Sequence, residues 1–229
     1  MSVIIDSITG KVRSQSEIFD LISGNKGRTF RRNYIRYFRR MFPKGHRESL
    51  RDALSLFAKE EGPKNLRRRN FFSDLFRLHP RAVDLLLKYG KDYRPKVWNV
   101  KPPEPESGQC YSNSWKMIEE SNLAEDESQR LVYVEGVVMG AMVRPVVHAW
   151  NSYYDESYGR NIAIDWTLFA TVKWNRYFGI ALTRDEYKKA AQIVFPGEDY
   201  SMLLLIKKHF PKVEDYLIEV LERRNEMQK

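Results

Sequence analysis

The sequence predicts an α+β protein: a helix bearing the lone cysteine, Cys110, packed on an antiparallel sheet of about four strands, with a basic helical region before it and a helical extension after it. Three observations lead there. Apolar residues recur at three- and four-residue spacings before residue 90 and again after residue 183. Between residues 131 and 182 the pattern changes to runs rich in Val, Ile, Tyr and Trp, separated by Gly, Asn, Asp and Ser. The stretch Lys101-Pro102-Pro103-Glu104-Pro105-Glu106-Ser107-Gly108 stands between the two regimes and can continue neither a helix nor a central strand.

In chain order, the periodicity predicts helices over residues 15–23, 30–42, 48–60, 70–77 and 80–89. Leu50, Leu54 and Phe57 share a face in the third, and Val83, Leu86 and Leu87 in the last. Gly45, Gly62-Pro63 and the His79-Pro80 step break the pattern, and Pro80 suits the first turn of its helix. Residues 1–100 thus read as one basic helical region and 101–108 as a linker. A helix is predicted from Cys110 to Asn122, then strands over 131–140, 144–153, 161–167 and 177–182. Their short connections favour antiparallel neighbours. Residues 109–182 form the core, and 183–229 a helical extension. Its first helix, 183–194, opens with Thr183 and Glu186 spaced as a capping box, and helices over 199–209 and 211–227 follow.

A hydrophobic content of 42% over 229 residues is enough for a real core and argues for a folded chain. One cysteine excludes an internal disulfide framework and a cysteine-rich zinc site, and points to a reducing, cytoplasmic setting. Residues 1–20 show no basic start followed by an apolar run, so no secretory leader is expected. No run approaches the ~18 apolar residues of a membrane helix, so no membrane insertion is expected. The net charge of +9 is uneven: residues 1–100 hold 23 Lys/Arg against 10 Asp/Glu, and the remainder holds 16 against 20. The two halves are expected to do different work.

The chemistry-bearing residues lie after the linker. A cysteine attacks as thiolate, and a helix N-terminus or a nearby imidazolium lowers the pKa of a free thiol, about 8.5. Cys110 opens its helix, where unpaired N–H groups can also hold an oxyanion, and the Gln109 side-chain amide is a candidate second donor. His148 and Trp150 fall on one face of a strand, where the indole can shield the imidazole from water. Asp165 shares a face with Ala163 in the next run. If those strands are neighbours, Asp165 orients one His148 nitrogen while the other faces the thiol.

Gln109-Cys110-Tyr111-x-Asn113, Tyr133-Val134-Glu135-Gly136, Pro145-Val146-x-His148-Ala149-Trp150, Ile164-Asp165-x-Thr167 and Tyr177-Phe178-Gly179-Ile180, in that order, resemble a group of compact bacterial and phage proteins of the papain-like and transglutaminase-like cysteine fold. The resemblance covers about residues 108–182. It implies a Cys110 helix packed on an antiparallel sheet carrying His148 and Asp165, and a hydrolase or acyltransferase working through a Cys-His-Asp triad. The order Cys, His, Asp matches the transglutaminase-like arrangement. The papain-type Cys-Gly-x-Cys-Trp signature is missing, so peptidase activity does not follow. The basic half has no counterpart in the shared core.

Plainer readings stand beside these. A lone cysteine can be a buried small hydrophobe, His148 a satisfied core histidine, and Asp165 a turn former at a strand end. Asn113 and Glu135 are candidate substrate contacts. Glu135 is the odd charge in an apolar strand; a place on the solvent face is the simpler reading, and Gly136 beside it suits a bulge or close packing. No metal-ligand spacing occurs and no cofactor is implied. Residues 28–69 interleave arginines with aromatics. Arg31, Arg32, Arg36 and Arg39 there could contact nucleic acid, an acidic partner protein, or only water. Two functions remain open on the sequence: a thiol enzyme acting on a protein or peptide-like substrate, or a binding protein on the same scaffold that uses its arginine-rich half.

Overall fold

The computed structural model describes residues 4–5, 12–13, 50–59, 75–96, 109–121, 131–139, 145–168, 175–194, 201–206 and 211–227. Strands β1 (Ile4–Ile5) and β2 (Val12–Arg13) form a small antiparallel pair. Helix α1 (Leu50–Lys59), a 3-10 turn (Leu75–Arg77) and helix α2 (Pro80–Tyr89) lead to strand β3 (Lys91–Pro95). Then come α3 (Cys110–Ser121), β4 (Val132–Met139), β5 (Val146–Asp155), β6 (Arg160–Ile164), β7 (Arg176–Leu182), α4 (Arg184–Val194), α5 (Met202–Leu205) and α6 (Pro211–Met227).

The α+β class holds, but the sheet is a closed five-stranded barrel in the order β3-β6-β5-β4-β7, not an open antiparallel sheet of four. The added strand, β3, pairs antiparallel with β7 and parallel with β6, which closes the ring. Its sequence, Lys91-Asp92-Tyr93-Arg94-Pro95, conceals it. Only Tyr93 is buried, and the charged residues at 91, 92 and 94 are exposed. Pro95 has no N–H to give, yet it sits at the end of the strand, where a missing donor is tolerated.

Alternation along each strand divides the buried residues into two layers. Tyr93, Val134, Val138, Val146, Trp150, Ala163 and Tyr177 pack together as one cluster, the barrel interior. Trp150 is central to it: Tyr93 meets its ring edge-on at 5.5 Å and Tyr177 at 5.1 Å. The opposite strand faces present Tyr133, Val137, Ala149, Phe178 and Ile180 to the helices, in a second cluster shared with α1, α2, α3, α4, α5 and α6. Helices α1 and α2 bury Leu54 and Leu86 in the same core as Phe178, and β3 is a wall of the barrel. Arg81 to Glu214 (2.9 Å) and Lys88 to Glu222 (3.1 Å) further tie α2 to α6.

Local signals in the helices read as expected. Pro80 opens α2 behind an N-cap, His79, whose ring accepts from the Arg81 N–H. Thr183 and Glu186 form the capping box of α4: the Thr183 N–H donates to Glu186 at 2.7 Å, and the Glu186 N–H donates to the Thr183 hydroxyl at 3.3 Å. The Arg184 guanidinium grips Glu119 of α3 with two bonds and holds that carboxyl well below its usual range.

Gly136 and Gly179 face one another across β4 and β7. A Cβ on Gly179 would lie 2.4 Å from the Glu135 carbonyl oxygen and 2.7 Å from the Trp150 ring. The close packing expected at Gly136 is thus a property of the pair, which lets the strands approach and seats the indole. Gly179→Ala is expected to destabilise the fold by about 2 kcal/mol or more, read from urea unfolding followed by tryptophan fluorescence. None of the described helices is long and apolar enough to cross a membrane.

Candidate active site

Cys110 is the first residue of α3, and Gln109, exposed just before it, accepts the Asn113 N–H on its carbonyl at 2.9 Å. The first N–H groups of any helix have no intrahelical carbonyl to bond. Cys110 is 8% exposed and belongs to the core cluster shared by the helices and the strands.

His148 is the third residue of β5 and shares its face with Val146 and Trp150. The register pairs Asn151 with Ile164, so Asp165, one residue past the end of β6, comes level with Trp150 and within reach of His148. The His148 Nε2 to Asp165 Oδ2 distance is 2.8 Å, between side chains that are almost wholly buried. The other carboxylate oxygen, Oδ1, accepts the backbone N–H groups of Thr167 (3.0 Å) and Leu168 (2.8 Å). Asp165 therefore fills both roles open to it on the sequence: it forms the turn after β6 with one oxygen and faces the imidazole with the other. Nε2 is taken by the carboxylate, and Cys110 lies near enough to the ring to favour its charged form. Burial pulls the imidazole toward its neutral form, but Asp165 and Cys110 outweigh it and hold His148 up to about 10.

The surrounding contacts lock this geometry. One turn below Cys110, the Asn113 side-chain amide donates to the Thr167 hydroxyl at 3.0 Å and ties α3 to the turn that Asp165 caps. Asn151 donates to the Ser114 carbonyl of α3 and accepts from the Trp166 indole, both at 2.9 Å. The Tyr177 hydroxyl donates to Asp165 Oδ2 at 2.9 Å and accepts from Asn175 at 3.1 Å. Asn113, expected as a substrate contact, is 5% exposed and acts as this tie. Trp150 is fully buried and lies near-parallel to the imidazole, with ring centres 6.4 Å apart; it fills the barrel interior.

The solvent-facing reading of Glu135 is corrected: its side chain is turned into the protein and only 2% of the residue is exposed. Its carboxylate accepts from the Tyr133 hydroxyl (2.7 Å), the Ser201 hydroxyl (2.8 Å) and the backbone N–H groups of Met202 (2.7 Å) and Leu203 (3.0 Å). Polar partners on a distant segment made the inward turn favourable, and the strand's own pattern carried no sign of them. Burial nonetheless pushes this carboxyl above its usual range. Glu135 pairs in register with Ala149, on the strand face opposite to that of His148.

Sequence reasoning missed Tyr177 and Ser201. Alternation in Tyr177-Phe178-Gly179-Ile180 does place Tyr177 opposite Phe178, but not which of the two faces the barrel interior. Arg31, Arg32, Arg36 and Arg39 lie outside the described residues, as do residues 101–108. Among the described residues no group of three or more His, Cys, Asp or Glu is placed to hold a metal ion. No family model, curated protein or solved structure matches the chain.

Proposed function

We propose that this protein is a cysteine-dependent hydrolase or acyltransferase that acts on an amide, isopeptide or ester carbonyl, on a scaffold of the papain-like or transglutaminase-like kind. The observation that carries this reading is the imidazole of His148, bonded to Asp165 through Nε2, with Cys110 near enough to favour its charged form and standing as the first residue of a helix. His148 takes the thiol proton, and the thiolate sulfur attacks the carbonyl carbon. The oxyanion falls to the N–H groups at the start of α3, with the Gln109 amide beside them. The imidazolium returns its proton to the leaving amine or alcohol, which departs and leaves a thioester on Cys110. Water or an amine then attacks the thioester, gives its proton to His148, and frees the thiol. Asp165 orients the imidazole and stabilises its charged form throughout.

The test is acylation by an activated aryl ester at pH 6, followed by intact mass. A single acyl adduct on Cys110, formed faster than on glutathione and lost in Cys110→Ala, is the expected result. Acylation no faster than that of glutathione would overturn the reading. An added primary amine that shortens the adduct's lifetime marks a transferase; an unchanged lifetime marks a hydrolase.

A further inference from the structure

The imidazole is not the only group on Asp165 Oδ2: the phenol of Tyr177 reaches the same oxygen from across the barrel, from β7, at 2.9 Å. Tyr177 is itself 1% exposed, and Asn175 donates to its oxygen, which leaves the phenolic hydrogen free to point at the carboxylate. The four donors around Asp165 thus come from three places. The Thr167 and Leu168 N–H groups hold Oδ1 from the turn, His148 meets Oδ2 from β5, and Tyr177 meets it from β7. The two N–H groups alone would fix one oxygen and leave the carboxylate plane to swing about it. The phenol anchors the second oxygen, the one the imidazole uses. We propose that Tyr177 is a positioning residue that aims Asp165 Oδ2 at His148 Nε2 and draws off part of its negative charge.

This deepens the reading above, because the oxygen it aims is the one proposed to orient the general base. The charge-sharing part follows from hydrogen bonding: an oxygen that accepts from two donors offers less to each. Without the phenol, Oδ2 faces the imidazolium alone and holds it more strongly. Among the described residues, the titratable groups that act on the pair are Cys110 from α3 and Tyr177 from β7.

The experiment is the titration of the His148 imidazole by NMR in wild type, Tyr177→Phe and Asp165→Asn, with the Tyr177→Phe/Asp165→Asn double variant. Tyr177→Phe keeps the ring against Trp150 and removes only the hydroxyl. It is expected to raise the His148 midpoint by about half a pH unit or more, where one unit is tenfold in proton affinity. In the Asp165→Asn background the same change is expected to do nothing. A residue that merely fills space would lower the melting temperature and leave the midpoint where it was; that result overturns the proposal, as does an equal shift in both backgrounds. Asn175→Ala, which leaves the phenol in place and removes the donor behind it, shifts the midpoint in the same direction by less and serves if Tyr177→Phe does not fold. Because this titration does not require Cys110 to react, its failure is distinguishable from failure of the acylation test.

Discussion

His148→Ala is expected to slow alkylation of Cys110 by iodoacetamide at pH 5 by about tenfold or more, with the gap closing as the pH approaches that of ordinary thiol ionisation. The imidazole stays charged up to about 10, so a positive charge stands beside the sulfur across the whole working range. A positive charge beside a sulfur favours the thiolate over the thiol. The gain is tempered because a more stable thiolate is a weaker nucleophile, which is why tenfold rather than a thousandfold is expected. The measurement is the second-order alkylation rate from pH 4 to 9 by intact mass. Superimposable profiles would remove the functional role of the pair. The same variant carries a stability signature of known sign. The His148 value is raised on folding, so its contribution is fully present below the ordinary imidazole range and is lost as pH rises through about 10. The melting temperature of His148→Ala should therefore fall less steeply than that of wild type between pH 7 and 10.

Glu135→Ala is expected to cost about 3 kcal/mol or more of folding stability, read from urea unfolding. The change strands two buried hydroxyls and two backbone N–H groups, those of Tyr133, Ser201, Met202 and Leu203, without acceptors. Glu135→Gln keeps the shape but turns an N–H2 toward donors, so it should also destabilise, by less. The pH dependence separates charge from shape. Burial raises the Glu135 carboxyl on folding, so its contribution is present below the ordinary carboxylate range and is lost as pH rises through the raised value. The advantage of wild type over Glu135→Gln should then widen as the pH is lowered.

The elements that carry the site were legible because each is written in local chemistry. Cys110 could be placed at a helix start because the prolines before it forbid an earlier one. His148 could be placed on a strand because alternation and β-branched neighbours leave little choice. Thr183 and Glu186 announced their helix through bonds made within four residues of chain. Strand β3 was illegible for the opposite reason. Its partners, β6 and β7, lie far along the chain, and its five residues bury only one large apolar side chain.

The same contrast runs through the site itself. The sequence alone determined which residue types were available for thiol chemistry, their order, and the elements that bear them, because helix starts and strand faces follow from contacts between near neighbours. Only the tertiary structure decided what those residues face. The tertiary fold fixed the β5–β6 register that brings Asp165 to His148 and set β7 where Tyr177 reaches the same oxygen. It also turned Glu135 inward, because a segment 66 residues further on supplied the Ser201 hydroxyl. A buried polar group keeps its place by the partners it finds in space. Those partners come from chain distances over which no local pattern carries information.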